Sequence, residues 1–151
     1  MTITRTQVEK ILLKRAARRM AFVEMDIAKS DGTNADLNDP IAYAVRLCGL
    51  SVADISDVKD SDLAPLPDSD IDKLLDLAEL RLLQNIFGNL DSVDERTGPV
   101  QNAYSQFGTQ LETALKRLEE KCQRNYGVGQ GTISVGYITL DFQQKEADDD
   151  V

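Results

Sequence analysis

The stretch IDKLLDLAELRLLQNI, residues 71–86, decides the fold. Its apolar residues recur at intervals of three and four, which is the spacing that places side chains on one side of an α-helix. Ser69 is the predicted N-cap, and the acidic residues 70 and 72 suit the positive N-terminal end of a helix. We therefore expect a central helix with a buried stripe made of Ile71, Leu74, Leu75, Ala78, Leu82 and Ile86.

Two longer amphipathic segments flank this helix and are predicted to pack against it. The first opens with Thr6 and Glu9 as a capping box and runs to about residue 28. Its apolar side consists of Val8, Ile11, Leu12, Ala16, Met20, Val23 and Ile27. The second runs from about residue 100 to residue 126, with an apolar face of Val100, Ala103, Phe107, Leu111, Leu115, Leu118 and Cys122.

The segments between these helices read as turns and short elements. SDGTNADLNDP, residues 30–40, ends the first helix, and Asp39 is the expected N-cap of a short helix with Pro40 at its first position, ending before Gly49. Residues 51–68 read as an acidic connector with room for one helical turn, since Pro65 and Pro67 disrupt regular structure. DSVDERTGP, residues 91–99, is a predicted turn. The fold class is mainly α, a small helical bundle over residues 1–126.

A glycine-rich junction and one strand-like run follow the last helix. The junction contains Gly127, Gly129 and Gly131, and we interpret it as a hinge. Beyond it, apolar residues alternate with other residues, as in a β-strand. The face on which they lie changes beside Gly136, where a β-bulge is natural. Residues 127–142 are therefore a predicted β-arm, followed by an acidic disordered tail at 143–151. The arm's apolar residues are Ile133, Val135 and Tyr137 on one face and Ile138, Leu140 and Phe142 on the other.

The arm has two possible uses. It could fold back on its own helices, or form a hairpin with a turn near Gly136. Alternatively, it could add a strand to a sheet in another subunit or another protein, which is β-augmentation. We favour augmentation, because an unpaired strand edge is a liability when it is left exposed and the glycines would let the arm swing out.

Charge is distributed unevenly along the chain. The net charge is −9, and residues 30–95 carry fifteen acidic and four basic side chains. Such a surface repels phosphate backbones, so general DNA binding is disfavoured. The exception is a basic cluster that covers one broad side of the first helix: Lys10, Lys14, Arg15, Arg18 and Arg19. It is either a solvated or salt-bridged face, or a contact face for an acidic partner or for DNA passing nearby.

Chemistry-bearing residues are sparse. The chain has no His, and Cys48 and Cys122 match no zinc or redox spacing, so we expect both to be core thiols. DGTNADLND lacks the Gly and Glu that a calcium-binding EF-hand loop needs, and the glycines of GVGQGT follow a helix instead of preceding one. We predict no catalytic residue, metal or cofactor, and no enzyme. No apolar run approaches the ~18 residues of a membrane span, and the first twenty residues are too basic for a signal peptide.

The order of parts resembles the head–tail adaptor (connector) proteins of tailed double-stranded-DNA phages. The resemblance lies in VEKILLKRAARRMAF, NDPIAYAVR, LLDLAELRLLQNI, LETALKRLEEKCQRNYG and GTISVGYITLDF. It implies a homo-oligomeric ring, typically of twelve subunits, that joins the portal protein to a tail or neck protein and leaves a passage for DNA. It also implies arms that attach to the portal or to neighbouring subunits, assembly in the host cytoplasm and a final location in the virion neck. The long acidic connector 51–68 departs from a compact adaptor.

Two other classes remain open. One is a different neck or tail-completion protein, although head-closure proteins rely on β-barrels and this chain offers a single strand. The other is a small acidic regulatory protein that binds a host factor and uses its acidic middle to mimic DNA.

Overall fold

Helix α4 is the centre of the fold, and three other helices pack against it. The computed structural model describes residues 2–96 and 101–128 of the chain. That part is mainly helical, as predicted, and contains these α-helices in chain order: α1 (Arg5–Phe22), α2 (Asn38–Leu47), α3 (Asp60–Leu63), α4 (Ile71–Arg96) and α5 (Gln101–Tyr126). Two 3-10 turns, Ala35–Leu37 and Asp68–Asp70, precede α2 and α4. Helices α1, α2 and α5 all contact α4.

Burial extends further around α4 than one stripe. Leu74, Leu75, Ala78, Leu82 and Ile86 are buried, as predicted, but Ile71 is half-buried. Three more leucines outside the predicted stripe are also buried: Leu77, Leu80 and Leu83. The reason is that α1, α2 and α5 cover different sides of α4, and a helix that is apolar most of the way round is a core helix.

Helix α1 differs from its prediction at both ends. Its capping box is formed by Thr4 and Gln7, whereas Thr6 and Glu9 lie inside the helix. The helix ends at Phe22 because Glu24 adopts a left-handed conformation with φ of 64°. The N–H of Met25 then bonds to the carbonyl of Met20 at 3.0 Å, which closes the helix in a Schellman motif. Beyond this point the helical register is lost, and Ile27, a predicted core residue, is 44% exposed.

Asp39 and Ser69 are not the N-caps that the sequence indicated. Helix α2 begins one residue before Asp39, whose carboxylate instead accepts hydrogen bonds of 2.8 Å from Arg81 Nε and from Asn85 of α4. The hydrogen bond from Arg81 lowers the pKa of Asp39. Ser69 lies inside the 3-10 turn that leads into α4. Gly49, with φ of 85°, follows the end of α2, as predicted.

The connector packs onto the bundle and contains the single helical turn for which the sequence left room. Helix α3 is that turn, and Val58, Leu63 and Leu66 of the connector are buried in the core. Helix α4 continues to Arg96, so the predicted turn at 91–99 is helical as far as residue 96, and residues 97–100 lie outside the described residues. Helix α5 has the predicted limits.

A buried ion pair ties α1 to the loops around it. Arg5 is 2% exposed, Glu9 is fully buried, and Arg5 Nε donates to Glu9 Oε2 at 2.8 Å. The other guanidinium nitrogens donate to three acceptors: Asn38 Oδ1 at 2.7 Å, the Val58 carbonyl at 2.8 Å and the Asn34 carbonyl at 2.7 Å. The backbone N–H of Arg5 donates to Asp60 Oδ1 at 2.6 Å, so the acidic connector caps α1.

The loop between α1 and α2 wraps around Glu9. Glu9 Oε1 accepts the N–H of Gly32 at 2.8 Å, and Oε2 accepts the N–H of Asn34 at 3.0 Å. The buried side-chain amide of Asn34 donates to the carbonyls of Asp26 and Lys29 at 3.0 and 2.9 Å. The segment that resembles a calcium loop in the sequence is therefore organised by a carboxylate of α1.

We expect Arg5→Met to lower the free energy of unfolding by about 3–5 kcal/mol, because it leaves the Glu9 carboxylate buried without its cation. Arg18→Met is the matched control, since Arg18 is exposed on the same helix, and it should change stability by about 0.5 kcal/mol or less. Urea denaturation followed by circular dichroism measures both variants. Equal stability of the two variants would contradict a structural role for the Arg5–Glu9 pair.

Candidate functional site

The basic cluster of α1 is divided among three environments. Arg15 turns toward α4, where its guanidinium lies 3.3 Å from Asp76 and 3.0 Å from Glu79. Lys10 borders a separate apolar pocket of about 320 Å³, which is lined mainly by Ile3, Ile11 and Ile71. The remaining three residues, Lys14, Arg18 and Arg19, line a groove that Arg15 also borders. Four of the five cluster residues therefore meet at one groove, and Lys10 lies apart from them.

Lys14, Arg18 and Arg19 border a groove between α1 and α5, which we call the cationic groove. It has a volume of about 550 Å³, and α5 contributes the amide side chains Gln106 and Gln110. The remaining lining residues are Arg15 and the apolar side chains Ala17, Phe22, Phe107 and Leu111. A surface that combines cations, amides and apolar groups suits an acidic peptide segment.

The positive charge of the groove is uncompensated within the part of the chain that the structure describes. There, no acidic side chain lies within salt-bridge distance of Lys14, Arg18 or Arg19. Arg15, by contrast, is neutralised by α4. Among the described residues these three cations are unpaired, and they form a local positive potential in a chain of net charge −9.

Two contacts between helices hold the walls of the groove. The rings of Phe22 and Phe107 stack with their centroids 4.0 Å apart, joining the end of α1 to α5. Further along, the buried carboxylate of Asp76 on α4 joins both wall helices. It accepts hydrogen bonds from Arg15 of α1 and, at 2.8 Å, from the Tyr126 hydroxyl of α5. It also forms a salt bridge of 3.1 Å with Lys121 Nζ of α5.

The contact with Asp76 perturbs its neighbour on α5. Burial, the hydrogen bond to Asp76 and the charge of Asp76 together raise the pKa of Tyr126 to about 12. Because this folded-state pKa lies above the ordinary value near 10, the stabilisation from the neutral phenol is complete below pH ~10. It is lost as the pH rises through about 12.

The two thiols are not activated. Cys122 is buried, as predicted, and burial raises its pKa to about 11. Cys48 is half-buried, so it lies at the edge of the core instead of inside it, and burial also raises its pKa. A nucleophilic cysteine needs a lowered pKa and a positive neighbourhood, and neither thiol fits that requirement.

Metal-binding clusters and membrane-spanning helices are absent from the described part of the chain. Across residues 2–96 and 101–128, no group of three or more acidic or Cys side chains is positioned to hold a metal ion. Nor do those residues form a helix with the length and apolar character needed to cross a membrane.

Of the predicted arm, 127–142, the described residues include Gly127 and Val128, and Gly127 is the one among them that was predicted to bind a partner. It adopts φ of 71° and its N–H bonds to the Gln123 carbonyl at 3.0 Å, so it caps α5 in a left-handed conformation that suits glycine. Its proposed role as a hinge stays a prediction. The other arm residues lie outside the described residues: Gly129, Gly131, Ile133, Val135, Tyr137, Ile138, Leu140 and Phe142.

Comparisons with protein-family models, curated proteins and solved structures found no match to this chain. The site is therefore defined by its own geometry. Sequence reasoning missed the contributions of Gln106, Gln110 and Asp76. Asp76 carried a signal, because it is a charged residue flanked by leucines in LLDLAEL, and an acid in such a position needs a buried partner. The two glutamines carried none.

Asp76→Asn should lower the pKa of Tyr126 from about 12 toward its ordinary value, because the acceptor loses its charge. Absorbance of the phenolate near 295 nm, recorded after a rapid pH jump, measures the titration before the chain unfolds. Tyr126→Phe identifies which part of the absorbance change belongs to Tyr126. Asp72→Asn, an exposed acid one turn earlier on α4, should lower the Tyr126 pKa far less than Asp76→Asn does, because its charge is the smallest of the causes. A Tyr126 pKa that is insensitive to Asp76→Asn would contradict this contact.

Proposed function

We propose that this chain is a structural assembly protein, a head–tail adaptor of a tailed phage that forms a ring between the portal and the tail or neck. The observation that carries the proposal is the cationic groove, whose basic side chains Lys14, Arg18 and Arg19 have no acidic partner among the described residues of an otherwise acidic chain. Such a surface is suited to docking on an acidic protein. The resemblance in the order of segments supplies the kind of assembly.

The helical body has the properties that a spacer in a ring needs. A buried ion pair fixes α1 to its loops, and Asp76 fixes α1 and α5 to α4. These contacts make the relative positions of the wall helices well defined. A subunit that repeats around a ring must present the same surfaces at the same angle each time, because small errors prevent closure.

The end of α5 is consistent with a separate arm. Gly127 terminates the helix, and Val128 is the last described residue that packs against the core. The strand pattern of residues 132–142 begins only after this point. On the proposed function, the arm adds a strand to the portal or to a neighbouring subunit, while the groove binds an acidic surface of the portal.

The first test is the assembly itself. The purified chain, alone and mixed with the portal protein encoded by the same genome, is analysed by size-exclusion chromatography with light scattering and by negative-stain electron microscopy. The proposal predicts rings of the chain attached to the portal. A chain that stays monomeric with the portal but forms a stable 1:1 complex with a host protein would instead indicate a regulatory binder.

Charge reversal in the groove should impair portal binding without unfolding the chain. The variant is Lys14→Glu/Arg18→Glu/Arg19→Glu, and Arg15 is left intact because a carboxylate there would face buried Asp76. The matched control, Lys116→Glu/Arg117→Glu/Arg124→Glu, makes the same change in net charge on exposed positions of α5. Binding measured by co-sedimentation should fall for the groove variant and persist for the control. Equal binding of both variants would exclude the groove as the docking surface.

Deleting residues 129–151 should leave the helical body folded but abolish binding to its partner, because the described core consists of residues that precede the deletion. The control deletion, residues 143–151, keeps the arm and should retain binding. Thermal denaturation and co-sedimentation distinguish the outcomes. A cooperative loss of the body's stability in the longer deletion would show that the arm belongs to the body's own core.

A further inference from the structure

We propose that in the free subunit the cationic groove is occupied by the acidic segment 146–150 of the same chain. That segment reads EADDD and carries four acidic side chains. The groove offers three cations, Lys14, Arg18 and Arg19, that have no acidic partner among the described residues. The segment and the groove are therefore complementary in charge.

The chain is long enough for this contact to form within one molecule. The groove lies beside Gln106 and Gln110, whereas the described chain ends at Val128, at the other end of α5. At 1.5 Å per helical residue, the distance back along α5 is about 30 Å. Residues 129–145 can span at most about 56 Å when extended.

The tether favours the chain's own tail over other acidic occupants. Covalent attachment through a tether that can span the distance raises the effective concentration of the segment above that of a second copy in dilute solution. DNA is a weaker competitor, because the rest of the chain is acidic and repels a phosphate backbone. Lys116 and Arg117 on α5 attract the tail less than the groove does, because acidic residues lie within one helical turn of them in the sequence: Glu112, Glu119 and Glu120.

The contact has a consequence for assembly, and this consequence rests on the proposed function. A tail in the groove covers the surface that would dock on the portal, so the free subunit is held inactive. An acidic portal surface that makes more contacts displaces the tail. Deleting residues 143–151 should then strengthen portal binding instead of merely preserving it.

Zero-length carbodiimide cross-linking of the full chain, read by mass spectrometry, tests the contact directly. Lys14 is the one groove cation that this chemistry can join to a carboxylate, so it reports on occupancy. We expect cross-links from Lys14 to residues 146–150 at a higher yield than from exposed Lys116. The yield should fall strongly between 0.1 M and 1 M salt, as the Debye length shrinks from about 10 Å to about 3 Å.

Variants and isotope mixing make the test specific. Arg18→Glu/Arg19→Glu keeps Lys14 as the reporter and should lower the yield by roughly tenfold or more, because two attractions become repulsions. The control Arg117→Glu/Arg124→Glu should leave it unchanged. In an equal mixture of ¹⁴N- and ¹⁵N-labelled protein, an intramolecular contact gives cross-linked pairs of a single isotope.

Three results would overturn the inference: mixed-isotope pairs, equal yields from Lys14 and Lys116, or cross-links from Lys14 to acids 91, 94 or 95 in place of the tail. The two proposals fail separately. Rings on the portal without the Lys14 cross-link would refute the tail contact and leave the adaptor function standing. A Lys14 cross-link to the tail without any portal complex would refute the adaptor function and leave the tail contact standing.

Discussion

The ion pair between Arg5 and Glu9 is the interaction on which the rest of the body depends. Both side chains are buried, and a buried charge is tolerated when its partner and its remaining hydrogen bonds are all supplied. Here they are supplied by three different parts of the chain: the loop after α1, the start of α2 and the acidic connector. Segments with little apolar content of their own are in this way given fixed positions. The same pair holds the N-terminal half of α1, and so it sets where the basic residues of that helix lie.

The position of α1 in turn defines the candidate site. Arg15 pairs with Asp76 and Glu79, which neutralises its charge and fastens α1 to α4. Lys14 and, one turn further along α1, Arg18 and Arg19 lie beside α5, across from two glutamines. The site is thus a consequence of how two helices are held on a third. It suits recognition of an acidic surface by charge and shape. The two thiols of the chain do not line it, and their raised pKa values do not suit nucleophilic chemistry.

Helical periodicity was sufficient to predict the long helices and their packing on α4, because the spacing of apolar residues within a helix does not depend on the conformation of the loops. The helix ends were predicted less well for identifiable reasons. Glu24 ends α1 in a left-handed conformation that is normally taken by glycine, so no local signal announced it. Asp39 bonds to Arg81 of a distant helix instead of capping its own. For the site, the sequence identified the basic cluster. The salt bridge between Arg15 and Asp76 and the contribution of α5 depend on tertiary packing, which the spacing of residues in the sequence does not encode.

Native-state hydrogen exchange, resolved at single residues, tests the central claim that the polar loop and the helices form one rigid body. The decisive amides are those of Gly32 and Asn34, which lie in irregular structure and donate to Glu9. Ordinary loop amides exchange through small local openings. If the account is right, these two exchange as slowly as the core amides of α4, because releasing them requires the Arg5–Glu9 network to open. Exchange of both amides at the rate of an unprotected loop, while α4 stays protected, would contradict it.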